Sequence, residues 1–358
     1  MKVRIVSVPD SSNFGSFLQA YALSEIVRSF SNDVFFEKTR DDKYIKNLFI
    51  NKKAALRIVL KDPIFGISKV LYLKKQYKVF REEWDKHFII KKGNADFDLT
   101  LLGSDEIWNI RNSVFCNPVF FGGDCENAFA FAVSVGSASE HDFSKNNYIS
   151  KLIKRIKLIF PRDENTKNIV DNILATNSER VCDPTFLYDF NNISPSELTL
   201  KKLFSLKHKY FLVYAYQLDK KVIKLIKEIA IKKQLCIVSI GFYHKFADLN
   251  LNCSPLDMFW IFKNACLVFT TTFHGTVFSI ITNKQFVSNP KDSIAKVGSL
   301  LRDFSLESQL IDNTVDYETF EQMILKQIDY SEINKKIDTI RSTSMRSLKE
   351  ILTNGIKM

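Results

Sequence analysis

No apolar run in this sequence is long enough to span a bilayer, which excludes a transmembrane helix. The opening residues, MKVRIVSVPD, pass from a short strand into a polar turn and lack the apolar core of a secretory signal. The expectation is a cytoplasmic protein, with the inner face of the membrane as a second option. Six cysteines (Cys116, Cys125, Cys182, Cys236, Cys253, Cys266) form no C-x-x-C pair and have no histidine at zinc spacing, so no metal is expected. Most lie in apolar contexts and read as reduced core residues. Gly15 stands outside any G-x-G-x-x-G pattern, so the dinucleotide fingerprint is missing as well. Internal repeats, low-complexity tracts and recognised nucleic-acid motifs are also lacking, which removes repeat arrays, disordered chains and nucleic acid as a partner.

What is present is a balance of 46% hydrophobic and 25% charged residues, ordinary for a soluble globular protein. At 358 residues the chain exceeds one ordinary core and suits two α/β domains. The net charge of +11 is concentrated: residues 43–92 hold fourteen Lys or Arg against four acids. Leu48, Phe49, Leu56, Val59, Leu60, Val70 and Leu71 recur there at helical spacing, which predicts basic amphipathic helices. Such helices either lie on an anionic membrane surface or are a solvated face packed on their own domain.

The stretch from Ala265 to Ile281, ACLVFTTTFHGTVFSII, reads as a buried strand, a tight turn and a helix. It delivers Thr271, Thr272, His274, Gly275 and Thr276 to the carboxyl edge of a sheet, where free backbone N–H groups at a helix start favour an anion. A histidine there is either a titratable catalytic group or a turn cap. Upstream, residues 3–8 predict a strand, and Asn13 and Gly15 a turn into a helix carrying Gln19. The turn either approaches a ligand or merely caps the helix. Residues 96–102 form another strand, ending in Gly103, Ser104 and Asp105, with Trp108 and Asn109 following. Trp108 offers a flat face for a sugar ring, and Asp105 either accepts sugar hydroxyls or caps a turn. Arg162, at the end of a short strand, suits carboxylate or phosphate, or pairs with Asp163 or Glu164 at the surface. Residues 191–207 are the linker candidate, and a second series of strands and helices starts at Tyr210. The expected fold is α/β, with two Rossmann-like domains facing across a cleft.

These pieces occur in a particular order: Asn13-Phe14-Gly15 with Leu18-Gln19-Ala20-Tyr21, Gly103-Ser104-Asp105 with Trp108-Asn109, Arg162-Asp163-Glu164, Asp183-Pro184-Thr185, Ser254-Pro255, and Phe273-His274-Gly275-Thr276. The ordered set resembles the polysaccharide pyruvyl transferase family. The resemblance implies a glycosyltransferase-B-like fold and transfer of pyruvate from phosphoenolpyruvate to two hydroxyls of a hexose in a cell-surface or capsular glycan precursor. A cyclic ketal and phosphate are the products, the acceptor can be lipid-linked, and no cofactor beyond the co-substrate is implied. The order of strands and helices divides the chain into an expected acceptor-side domain over residues 1–195 carrying the insert 43–92 and a donor-side domain over 205–315, and the helical spacing of the tail predicts terminal helices over 316–358 returning to the first domain.

On that basis His274 and Asp105 are the catalytic candidates. Arg162, Thr271, Thr272, Gly275 and Thr276 would hold the donor, and Asn13, Gly15, Gln19, Ser104, Trp108 and Asn109 the acceptor. The turn before the histidine carries Phe273 and no arginine, which shifts the donor's cationic anchor to Arg162. Two other readings remain open: a nucleotide-sugar glycosyltransferase of the same fold, and a non-catalytic protein binding glycans or membrane surfaces. No acidic pair for a ribose or basic pair for a diphosphate is evident in the second half.

Overall fold

The computed structural model describes residues 1–31, 33–93, 97–216, 218–290 and 294–356. Two all-parallel sheets organise the chain. The first holds β1 (Lys2–Val6), β2 (Asp33–Glu37), β3 (Ile90–Lys91), β4 (Leu99–Leu102), β5 (Ala128–Val133) and β6 (Ile159–Pro161), in the order β3-β2-β1-β4-β5-β6. The second holds β7 (Tyr210–Tyr214), β8 (Cys236–Ile240), β9 (Leu249–Leu251), β10 (Leu267–Thr270) and β11 (Phe286–Ser288), in the order β11-β10-β7-β8-β9. β4, β5, β7 and β10 are buried along their whole length, as strands covered by helices on both faces must be.

In each sheet the strand order reverses once beside the first strand of its half, between β1 and β4 and between β10 and β7. Such switch points open a crevice beyond the carboxyl ends of the strands. The residues following β1, β4, β7 and β10 are therefore the ones topology offers to a ligand.

Helix Phe14–Arg28 follows β1. Asn13 caps it, its side chain accepting from the Gly15 N–H at 2.8 Å. The helix is buried on nearly every side because Phe14 and Phe17 also meet Phe80 of the long helix Pro63–His87. That long helix ties the halves together: Gln76 Nε2 donates to the Cys253 carbonyl at 2.9 Å, and Asn252 Nδ2 to the Tyr72 carbonyl at 3.0 Å. Tyr214 adds a direct bridge, its hydroxyl 3.2 Å from Asn13 Oδ1. One hydrophobic core accordingly runs from Val3 and Phe36 through Phe80 to Val268 and Phe278. The terminal helix Ser331–Ile356 contacts the first half, Arg341 Nε donating to the Phe186 carbonyl at 2.7 Å and Ser344 Oγ accepting from the Cys182 N–H at 2.9 Å.

Several expectations are revised. Residues 191–207 are not a bare linker: helix Glu197–Phe204 lies within them, pinned by Asp257, which accepts from the Ser196 and Thr199 hydroxyls at 2.8 and 2.6 Å. β2, whose DVFFE pattern does not alternate, and the short edge strands β3 and β9, of two and three residues, are additions to the strands expected. The strand expected over 96–102 is observed from Leu99, and Asp96 lies outside the described residues. Of the cysteines, all free, only Cys253 is buried; Cys116 is exposed and the rest are intermediate. Among the described residues no helix is long and apolar enough to cross a membrane.

Candidate active site

The two switch points face one another. Between them lies a cavity of about 920 Å³ lined by Asn13, Asp105, Asn109, Thr271, Thr272 and His274, together with Glu106, Phe115, Tyr216 and Lys296. His274 enters through local geometry. Thr270 ends β10 and ties to β7 through its hydroxyl, 2.8 Å from the Tyr214 carbonyl. Thr272 then caps helix Phe273–Ile281, accepting from the Gly275 N–H at 2.9 Å. The N–H groups of Phe273 and His274, in the first turn, lie outside the intrahelical ladder.

Opposite, Asp105 follows Gly103 with both residues at positive φ, +82° and +123°. A Cβ at position 103 would stand 2.1 Å from the Phe131 carbonyl oxygen, so glycine is required there. Positive φ is uncommon for a residue with a side chain, although aspartate tolerates it better than most. Its carboxylate is held in place, Oδ2 accepting from the Ser16 hydroxyl at 2.7 Å and Oδ1 from the Glu106 N–H at 2.9 Å.

A buried chain of charges joins the two sides. Arg162 Nη1 donates to Asp183 Oδ2 at 2.7 Å, and Arg162 Nη2 lies 3.7 Å from Asp105 Oδ1. The same Asp183 oxygen is 3.5 Å from His274 Nε2, an electrostatic contact too long for a good hydrogen bond. Burial disfavours the Asp183 carboxylate, yet His274, Arg162 and the Thr185 hydroxyl outweigh it and hold the group well below the usual carboxylate range. Burial also disfavours the Arg162 cation, and Asp183, Asp105 and Asp163 more than offset this, raising its pKa. Arg162 Nε and Nη2 and His274 Nε2 are nevertheless buried without a hydrogen-bond partner among the described residues. Two unpaired guanidinium donors on one edge match a carboxylate or phosphate.

Arg162 does not line the large cavity. It lines a smaller one of about 230 Å³ with Arg180, Asp183 and Phe304, and Phe273 and Lys296 belong to both. The Phe273 ring forms the wall, with Arg162 Cζ 4.9 Å and Lys296 Nζ 5.3 Å from its centroid. Burial pushes the Lys296 ammonium down to about 8 against the pull of Asp105, and its Nζ contacts the Glu106 carboxylate.

Six expected residues stand behind the cavity wall. Trp108 is 0% exposed, donates from Nε1 to the Phe120 carbonyl at 2.8 Å and stacks on Phe121, so it offers no face to a sugar. An indole reads alike from sequence whichever side of a strand edge it takes; Tyr216, Phe115 and Phe273 are the phenyl and phenol rings on the cavity. Gln19 and Ser104 are fully buried, bonded to each other and to Ser7, and brace the Asp105 turn from below. Thr276 is buried too, its hydroxyl 2.9 Å from that of Ser288 and 3.1 Å from the Thr272 carbonyl. Gly275 is a packing glycine, since a Cβ would fall 2.0 Å from Thr270 Oγ1. Asp183, Lys296 and Glu106 carry no site role in the sequence reading. In the sequence Asp183 stands only as part of the Asp183-Pro184-Thr185 piece of the ordered set, with no role attached, because its partners lie 21 and 91 residues away. Among the described residues no cluster of His, Cys, Asp or Glu could hold a metal ion.

Gly15 also lies behind the wall, directly beneath the histidine. A Cβ there would stand 2.1 Å from His274 Cγ and Nδ1. Gly15→Ala is therefore expected to displace the imidazole and to cost about 1–3 kcal/mol of stability by overpacking. Thermal melts read the second effect. A variant as stable as the parent would show that this contact is looser than the geometry requires.

A sequence profile described as polysaccharide pyruvyl transferase matches residues 13–288, which covers Asn13, Asp105, Arg162, Asp183 and His274. No curated protein sequence matches significantly. Among solved structures, UDP-N-acetylglucosamine 2-epimerase from Rickettsia bellii is similar at a TM-score of 0.55 and 9% identity, over 100% of this chain and 97% of that one. UDP-GlcNAc 2-epimerase from Methanocaldococcus jannaschii follows at 0.52 and 12%, over 99% and 100%, and a trehalose-6-phosphate synthase at 0.51 and 9%, over 99% of each. At such identities the likeness concerns the fold alone, glycosyltransferase-B-like with two Rossmann-like domains. The extent of the profile match is what decides the family: this chain belongs to the polysaccharide pyruvyl transferases.

Proposed function

We propose that this transferase moves pyruvate from phosphoenolpyruvate to two hydroxyls of a hexose in a cell-surface or capsular glycan precursor. The observation that carries the reading is the buried chain Asp105, Arg162, Asp183 and His274, with its unpaired guanidinium donors, between the two switch points. The donor's carboxylate takes the Nε and Nη2 edge of Arg162, whose donors have no hydrogen-bond partner among the described residues. Because the Phe273 ring separates Arg162 from the large cavity, a rotation of that ring is part of the proposal. The phosphate takes the free N–H groups at the helix start, with Thr271, Thr272 and Lys296 beside it.

His274 delivers a proton to the methylene carbon, which becomes the methyl group, while one sugar hydroxyl forms its C–O bond to the central carbon and loses its proton. That proton passes to Asp105; the second hydroxyl then attacks the same carbon and returns a proton to His274 as the bond to the phosphate oxygen breaks, and inorganic phosphate leaves with the proton held by Asp105. Asp105 stands across the cavity to accept hydroxyl hydrogen bonds or a proton. The acceptor occupies the Asn13, Asn109 and Tyr216 side, and a lipid-linked acceptor at the inner face of the membrane fits this assignment. No cofactor is required beyond the co-substrate.

The test is phosphate release from phosphoenolpyruvate with a panel of aryl and lipid-linked glycosides, beside thermal melts with ligand. Phosphoenolpyruvate at a hundred times its Kd is expected to stabilise the fold by about 2.7 kcal/mol. Stabilisation by UDP or GDP and not by phosphoenolpyruvate would reassign the chain to nucleotide-sugar chemistry.

A further inference from the structure

We propose that the hairpin of helices Lys52–Lys61 and Pro63–His87 seats this protein on an anionic bilayer. Helix Lys52–Lys61 has no buried residue. Across the hairpin Leu56, Leu60, Ile64, Ile67 and Leu71 are 60, 75, 83, 52 and 59% exposed. A helix packed on its own domain turns its apolar stripe inward; this hairpin turns one outward. The spacing makes it continuous: Leu56 and Leu60 lie one turn apart on the first helix, and Ile64, Ile67 and Leu71 share a face of the second.

The ridge stands on a fixed base. A Cβ at Gly66 would fall 2.5 Å from the Val59 Cα, so the two helices touch backbone to backbone at that point. On its inner face the second helix buries Tyr72, Gln76, Phe80 and Trp84, successive residues four apart. The apolar face pointing away is thus held by the core and not left over from a loose segment.

Charge identifies the occupant. Residues 52–75 carry seven Lys or Arg and one acid, Asp62, which is already paired with Lys245 at 2.8 Å. Lys53, Arg57 and Lys61 form an exposed row along the first helix beside Leu56 and Leu60. A second copy of this chain would set the same excess of positive charge against itself, and a nucleic acid would leave the leucines and isoleucines uncovered. An anionic bilayer satisfies both halves of the surface, phosphates meeting the ammonium groups and the acyl boundary taking the ridge. This surface is distinct from the catalytic cavity and does not depend on the reaction assigned to it.

Flotation of the full chain with vesicles tests the proposal, using phosphatidylcholine alone and with about 30 mol % phosphatidylglycerol. Binding is expected to the anionic vesicles only and to weaken as salt rises. The double variants L60S/I64S and K53E/R57E are each expected to lower the bound fraction about tenfold or more, with unchanged melting because all four side chains are exposed. No flotation on anionic vesicles overturns the proposal, as does equal flotation by both double variants. Self-association abolished by L60S/I64S without flotation also overturns it, making the ridge an interface between copies.

Discussion

His274→Gln is expected to lower phosphate release from phosphoenolpyruvate by about a hundred- to ten-thousandfold, the range associated with loss of a positioned acid or base. Glutamine suits the space, which Gly15 bounds on one side and Asp183 on the other, and it can still offer an N–H to Asp183. What it cannot do is give up a proton near neutral pH. The fold should persist, because the helix cap at Thr272 and the bond from Thr270 to Tyr214 do not involve the imidazole. Stabilisation by phosphoenolpyruvate should also persist, since the donors assigned to its carboxylate and phosphate lie on Arg162, Lys296 and the backbone. Full turnover in a well-folded variant would remove His274 from the chemistry. Lost ligand stabilisation with retained turnover per bound donor would make it a binding group instead.

The histidine was legible because everything that presents it is local. An apolar strand, three threonines and a glycine-bearing turn specify strand, cap and helix within a span of a dozen residues. The two-sheet architecture was legible for a similar reason, since β7 and β10 are unbroken apolar runs before polar turns. Non-local facts were hidden. That Asp183 sits between Arg162 and His274 depends on how β6, the Asp-Pro turn and the second sheet meet. Trp108 was assigned to a sugar, but its indole turns the other way into the core shared with Phe120 and Phe121. Gln19 and Ser104 looked like ligand groups for the same reason they are buried: both stand beneath a strand edge, where a sharp turn needs hydrogen-bond partners. Lys296 lay in an ordinary amphipathic helix, and only the tertiary approach of Glu106 and Phe273 marks it.

Asp183→Asn is expected to destabilise the fold by about 3–5 kcal/mol at neutral pH, because it leaves the Arg162 cation buried with only a longer contact to Asp105. The carboxylate also cannot be replaced as the charge facing His274. The pH dependence gives the loss a signature. Asp183 has a folded-state pKa below its unfolded value, so its contribution is fully present above the ordinary aspartate range near 4 and fades as pH falls through the depressed folded value. The stability gap between parent and variant should therefore be widest at neutral pH and narrow on acidification, with the parent losing more than the variant. Urea unfolding of both proteins in a pH series reads this directly, and common acid effects on other groups cancel in the difference. A gap that stays constant down to the lowest pH at which both fold would mean that the Asp183 charge is not what stabilises the site, and that asparagine fails there for reasons of packing alone. A gap that narrows would tie stability to the Asp183 carboxylate, whose one oxygen both neutralises Arg162 and faces the imidazole.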